Sequence, residues 1–224
     1  MRRLVLAVAC AVVCACTPAP RELTPKEVLD RAADALDKAT TAHFALEQQN
    51  GSLALAQGVQ VTNAEGDVAR PDKLHMKFTL RLAGFNAEAQ LIAVGEDLFI
   101  TNPLSGQWQK APARTGAPRV LDQDKGMSGL LRKVTDAQRV GNEAVDGAQT
   151  VHLKGRVPAT SFADMTGAQP SGDTVAGDLW VGSEDFLPRQ VRLEGVLGAG
   201  DTAQTVRTLK FSKFNAPVTI ERPS

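Results

Sequence analysis

From Leu74 to Leu82 apolar and polar residues alternate without a break: Leu74, Met76, Phe78, Leu80 and Leu82 on one phase, His75, Lys77, Thr79 and Arg81 on the other. A period of two sends successive side chains to opposite faces, so the segment predicts a β-strand with one dry and one wet face. After Ala83-Gly84 the alternation resumes over Phe85–Leu91, with small residues on the dry phase. The period of two sets in at His43, and further strands are predicted over Leu53–Asn63, Leu98–Thr101, Gln107–Lys110, Thr150–Arg156, Thr174–Val181, Arg189–Leu197 and Thr205–Phe214. Gly, Pro, Asn and Asp separate them, as antiparallel hairpins require. Val94-Gly95-Glu96-Asp97 and Val181-Gly182-Ser183-Glu184-Asp185 each predict a hairpin tip; their likeness is that of two hairpins in one meander.

Before the strands the period is helical. Thr24-Pro25-Lys26-Glu27 is a capping box with proline at the first helical position. Val28, Leu29, Ala32, Ala33, Leu36 and Ala39 then recur at helical spacing, opposite Asp30, Arg31, Asp34, Asp37 and Lys38. This predicts an amphipathic helix of about four turns that packs on the protein's own sheet. Two shorter helices are expected over Met127–Val134 and Pro158–Met165, the second opened by Pro158. One-sided alternation over many strands implies a sheet wet on one side and covering something apolar on the other. A curved antiparallel sheet wrapped around a few helices meets that requirement in one domain.

The first residues follow a different pattern. Arg2 and Arg3 precede an uncharged, mostly apolar run from Leu4 to Ala15, which ends at Cys16. That is the form of a signal peptide, and the run is far shorter than the ~20 residues a membrane-spanning helix needs. Val13-Cys14-Ala15-Cys16 followed by Thr17-Pro18 resembles the bacterial lipobox, in which the cysteine after a small residue becomes the lipid-modified first residue. Cys14 departs from the pattern, whose slot usually holds Ala, Ser or Thr. Cys10 lies too close to Arg3, and Cys14 would put bulky Val13 at the cut. The bland alternative is a plain secreted chain with an incidental cysteine. The expected organisation is a signal peptide over 1–15, a lipidated tether over 16–23 and a single domain over 24–224, with diacylglycerol and an N-acyl group on Cys16.

All three cysteines lie at or before position 16, so the mature domain has no disulfide to draw on and holds together by core packing. Without Arg2 and Arg3, 23 basic residues face 25 acidic ones, a formal charge of −2. No basic surplus points to nucleic acid or to electrostatic adhesion to anionic lipid. The three histidines, His43, His75 and His152, show no metal-ligand spacing, and His75 and His152 fall on polar phases of strands, which predicts solvated side chains. Gly195–Gly200 does not open a dinucleotide fingerprint, because no helix follows, and Asp122-Gln123-Asp124 lacks the register of a calcium loop. Trp108 and Trp180 suit either ligand stacking or packing within strands, and the chain has no tyrosine. No nucleophile and base stand together, so an enzyme is not expected.

The segments Ala69-Arg70-Pro71-Asp72-Lys73-Leu74-His75-Met76-Lys77-Phe78, Val94–Ile100 with Gly106-Gln107-Trp108, Val140–Gly147 leading to Val151-His152-Leu153, and Leu179–Gly182 with Leu187-Pro188-Arg189 resemble the LppX/LprA/LprF/LprG lipoproteins. The resemblance runs from about Thr24 to the C-terminus and rests on strand-and-turn grammar. It implies a fold similar to the LolA/LolB carriers: α+β, a curved antiparallel half-barrel with helices over an apolar concave face. It also implies a cavity for the acyl chains of envelope lipids or glycolipids, on a protein lipid-anchored to the outer, extracytoplasmic face of the cytoplasmic membrane. A membrane transporter is a further expected partner, and no cofactor is expected beyond the acyl groups on Cys16. Candidate cavity residues are Leu74, Met76, Phe78, Leu80, Leu82 and Leu91 on strands and Leu130 and Leu131 on the second helix. Small residues on the dry phase (Ala87, Ala89, Ala93, Gly177) are expected to leave room, and Arg114–Met127 is the candidate lid. The alternative is an envelope sensor or assembly module of the same fold that binds a protein; a packed interior and a contiguous exposed apolar patch would favour it.

Overall fold

The computed structural model describes residues 21–54, 60–82, 85–111, 122–166, 172–198 and 201–223. Its elements are α1 (Pro25–Lys38), β1 (Thr41–Gln49), β2 (Leu53–Ala54), β3 (Gln60–Ala69), β4 (Lys73–Leu82), β5 (Phe85–Val94), β6 (Asp97–Thr101), β7 (Trp108–Lys110), α2 (Met127–Arg132), β8 (Thr135–Val145), β9 (Ala148–Pro158), α3 (Ala159–Thr166), β10 (Thr174–Gly182), β11 (Pro188–Glu194) and β12 (Val206–Ser212). The strands form one sheet in the order β7-β6-β5-β4-β3-β1-β12-β11-β10-β9-β8, with β2 paired to β3 off this path. All the pairings are antiparallel, and among the described residues β7 and β8 are unpaired edges, so the sheet is open there.

Cross-strand partners share a face, so inward side chains line up in rows. Ala42, Val68, Leu74, Ala93 and Leu98 make one row; Phe44, Met76, Leu91 and Ile100 lie in the next; Leu46, Ala64, Phe78 and Ala89 make a third. Across the sheet Leu179 stands between Leu153 and Val191. The apolar stripe of α1 (Val28, Leu29, Ala32, Ala33, Leu36) is buried in the same cluster as these rows. Thr24 caps α1 as the sequence predicts: its Oγ1 accepts from the Glu27 N–H at 3.3 Å, and its own N–H donates to Glu27 Oε2 at 2.8 Å. At the other end Arg70 donates from Nε to the Ala39 carbonyl and from Nη2 to the Leu36 carbonyl. Arg132 of α2 bridges Asp34 and Asp37 at 2.9 and 2.7 Å and ties α2 to α1.

Four points of the sequence reading need correction. Residues 135–145 form the eleven-residue strand β8, which the hydrophobic pattern misses, and β3 runs over Gln60–Ala69, well beyond the expected Leu53–Asn63. Pro158 ends β9, and α3 starts one residue later. Gly177 leaves no room. It faces Gly155 across the ladder, and a Cβ at Gly177 would come within 2.7 Å of Val157 Cγ2, one at Gly155 within 2.6 Å of Val134 Cγ1. Neighbouring side chains fill the space that the glycines vacate.

Among the described residues, one arginine is buried on an inward phase. Arg207 of β12 shares its phase with Leu209 and Phe211 and is 2% exposed. Its Nη2 donates to Asp201 Oδ1 at 2.6 Å and to the Ser52 carbonyl at 3.0 Å, and its Nε to Gln48 Oε1 at 2.8 Å. Asp201 Oδ2 accepts from the backbone N–H groups of Leu197 and Gly198, both at 2.9 Å. A buried pair is tolerated when the remaining hydrogen-bonding capacity is filled, as both carboxylate oxygens are here.

Replacing Arg207→Met leaves the Asp201 carboxylate buried without its cation, and urea unfolding should show a loss of about 3–5 kcal/mol. A loss within the ordinary surface range would refute this account of the pair. The capping box has its own signature. The Thr24 backbone N–H and then its side chain, together with Arg21, hold the exposed Glu27 carboxyl down to about 2, from an ordinary 4.5. A folded-state value below the unfolded one stabilises at high pH, so the contribution is complete above about 4.5 and is lost as pH falls toward about 2. Carbon-detected NMR of the Glu27 carboxyl should follow that titration, and Thr24→Ala, which removes the hydroxyl and keeps the backbone N–H, should raise it only part of the way.

Candidate functional site

The sequence candidates converge on the inner face. Leu74, Met76, Phe78 and Leu80 of β4, Leu91 of β5, and Leu130 and Leu131 of α2 are all at most 8% exposed and belong to one apolar cluster with α1. The pleat of β4 and the register with β5 bring the strand residues together, and α2 adds its two leucines from above the sheet. The side chain of Leu82 and all of Cys16 lie outside the described residues, as does the candidate lid from 114 to 121. Residues 122–126 form a turn into α2: Asp122 Oδ1 accepts from the backbone N–H groups of Asp124 and Lys125 at 2.9 and 2.8 Å. That geometry is an Asx turn, which is why the aspartates stand there. Two hydroxyls on the covering helices, Ser128 Oγ of α2 and Ser161 Oγ of α3, are buried without a hydrogen-bond partner among the described residues. An unsatisfied buried hydroxyl costs about 1–3 kcal/mol. Hydrophobic patterning does not flag either serine.

The opposite face carries a groove of about 730 Å³ across β1, β3, β4 and β5. Glu47, Asn63, Thr79 and Glu88 form one row of its lining, and Ala45, Glu65, Lys77, Gln90 and Thr101 form another. These rows alternate with the inward one, so the groove lies on the polar side. Of the sequence candidates only Phe78 borders it. Further along this side, His152 departs from the solvated side chain that its polar phase predicts. It is buried, its Nδ1 lies 2.7 Å from Glu143 Oε1, and its Nε2 lies 2.7 Å from Asp178 Oδ1. Its ring stacks on Trp180 at 4.3 Å, and Trp180 Nε1 donates to Glu143 Oε1 at 2.6 Å. Trp180 thus packs within the sheet, joining β8, β9 and β10 on their outer side. His75 is half-buried against Gln90 at 3.2 Å, and His43 faces Asp67 at 2.8 Å. Among the described residues no group of His, Cys, Asp and Glu could hold a metal ion, and no helix is long and apolar enough to cross a membrane.

Comparison with known proteins agrees with this architecture. The protein is 24% identical to the lipoarabinomannan carrier protein LprG of Mycolicibacterium smegmatis, over 98% of this chain and 94% of that protein. Lipoprotein LprA of Mycobacterium tuberculosis is 25% identical over 88% of this chain and 80% of its own length. Among solved structures, LprF from Mycobacterium bovis superposes with a TM-score of 0.72 at 17% identity, covering 89% of this chain and 97% of that one. LppX from Mycobacterium tuberculosis gives 0.62 at 20% identity, covering 88% and 98%. The family model described as LppX_LprAFG lipoprotein matches residues 24–220, nearly the whole of the region with the open sheet and its helices. The chain belongs to the LppX_LprAFG lipoprotein family.

Proposed function

We propose that this protein is a lipid-anchored carrier that holds the acyl chains of an envelope lipid or glycolipid between the inner face of the sheet and α1, α2 and α3, and passes them on from the cytoplasmic membrane. The observation that carries the reading is the apolar cluster over a sheet whose edges β7 and β8 are unpaired among the described residues: a lipid entering from the side would break no strand ladder described there. Related proteins named lipoarabinomannan carrier and putative phthiocerol dimycocerosate transporter support the class of cargo. The chain is anchored at Cys16 on the extracytoplasmic face, with 1–15 removed, 16–23 as the tether and 24–224 as the carrier domain. Leu74, Met76, Phe78, Leu80, Leu82, Leu91, Leu130 and Leu131 line the cargo's path, and a membrane transporter is the partner in hand-over.

Energetics favour such a mechanism. Each methylene moved from water to an apolar site gains ~0.8 kcal/mol, so about twelve give a gross ~10 kcal/mol. A bilayer offers nearly the same, which makes exchange with membrane close to neutral while escape into water stays blocked. α2 and α3 have six and eight residues. Helices below ~12–15 residues depend on packing for their stability, so an incoming chain that replaces one apolar contact with another displaces them at low cost. Ester or hydroxyl groups of a lipid would also give Ser128 and Ser161 the partners they lack. No catalytic group takes part.

Native mass spectrometry with lipid extraction, on the soluble chain lacking residues 1–16, should show a co-purifying diacyl or triacyl species. Delipidated protein that takes up no acyl chain would sink the carrier reading and leave the protein-binding sensor or assembly module. Against that module, the large apolar residues exposed among those described, Leu104, Val140 and Val196, sit in a turn, on β8 and beyond β11, and form no patch along one element. Separately, Cys16→Ala should abolish the acyl mass on the intact chain and release it from the membrane fraction; retention there would refute the anchor.

A further inference from the structure

The first described residues are pinned to the domain. Arg21 Nη2 pairs with Glu27 Oε1 at 2.5 Å on the first turn of α1, and Glu22 Oε1 pairs with Arg139 Nη1 of β8 at 2.6 Å. Arg139 is itself held by Asn142 Oδ1 at 2.9 Å. Exposed ion pairs contribute little each. Leu23 also packs against the core and Thr24 caps the helix, so the exit point stays fixed when the pairs break. The chain leaves the domain beside the start of α1, against the edge strand β8.

Five residue steps separate Cys16 from Arg21, a reach of at most about 18 Å when fully extended. A domain of roughly 200 residues has a radius of gyration of about 16–17 Å, hence a width near ~40 Å. The tether is too short to pass around it. With Cys16 in the bilayer, only the side that carries the exit point can rest on the lipid. Val140, on β8 next to Arg139, is 52% exposed there. β3 lies six strands away along the sheet.

We propose that the anchored chain sits on the bilayer through this side, with the unpaired edge β8 and the start of α1 turned toward the lipid surface and the middle strands β1 and β3 turned away. The proposal rests on the anchor at Cys16 proposed above. It names one lip of the open sheet as the membrane-facing one, so a lipid moving between bilayer and inner face travels past β8, α1 and α2. A short leash sets this orientation, with no need for a basic patch, in keeping with the chain's charge balance.

The mature chain has no cysteine besides Cys16, so a single introduced thiol can be labelled alone. Full-length lipidated Val140→Cys and Glu65→Cys, each carrying a fluorophore, are bound to phosphatidylcholine vesicles doped with a nitroxide-headgroup lipid. Glu65 is exposed on β3 and serves as the distant site. The label at 140 should be quenched severalfold more than the label at 65. Inserting about twenty Gly/Ser residues after Pro20, with a contour of about 70 Å, should abolish the contrast. Equal quenching at the two sites or stronger quenching at 65 overturns the orientation, and a contrast that survives the long linker overturns the short leash as its cause; each result leaves the anchor intact. A chain that carries no acyl mass and does not float with vesicles overturns the anchor, and the orientation with it.

Discussion

The ladder between β1 and β12 is the contact on which the fold depends. It is the single seam between two meanders, β3 to β7 on one side and β8 to β11 on the other, and it pairs Phe44 with Phe211 and Leu46 with Leu209. Both ends are stitched by side chains. Asn215 Oδ1 accepts from the Thr40 N–H at 2.9 Å, and Thr41 Oγ1 donates to the Ala216 carbonyl at 2.7 Å. At the far end Thr205 Oγ1 donates to the Asn50 carbonyl at 2.7 Å. These partners are more than 150 residues apart in sequence. Such closure carries an entropic cost that only the contacts of the finished seam repay. With the seam formed, the two inner faces become one, and α1 has a continuous surface to cover.

Much of this was legible in the chain. The capping box located α1 at its first residue, because the reciprocal hydrogen bonds depend only on residues three apart. The alternation in β4 located a central strand, because such a strand has one face on the core and one in water. β8 escaped for the opposite reason. Nearly all its side chains are exposed or half-exposed, and two register irregularities against β9 break its period, so no phase of Thr135–Val145 reads as dry. An edge strand has less to bury and therefore less to reveal.

The site residues show a similar division. Period alone placed Leu74, Met76, Phe78 and Leu80 on one face, and register then joined Leu91 to them. Period could not foresee what neighbouring strands bring to a polar position. His152 looked solvated because its own strand alternates; Glu143, Asp178 and Trp180 arrive from β8 and β10 and enclose it. Arg207 was hidden the other way, a charge on a dry phase whose partner Asp201 is six residues earlier in the preceding turn. An acid six residues before an inward-phase arginine, across a turn, was the available signal. Gly177 invited a reading of empty space because a sequence shows only what a residue lacks, while Val157 and Leu193 occupy the gap.

The two free edges have a consequence for crowding. β7 is three residues long, and β8 is interrupted twice in its pairing with β9 and carries Asp136 at a φ of +52°. A short edge and a bulged one are poor templates for another chain's strand. Copies confined to two dimensions meet far more often than copies in free solution, and a flat, regular edge would let them zip into fibrils. An open sheet that breaks the regularity of both margins can stay open without offering its own kind a strand to pair with.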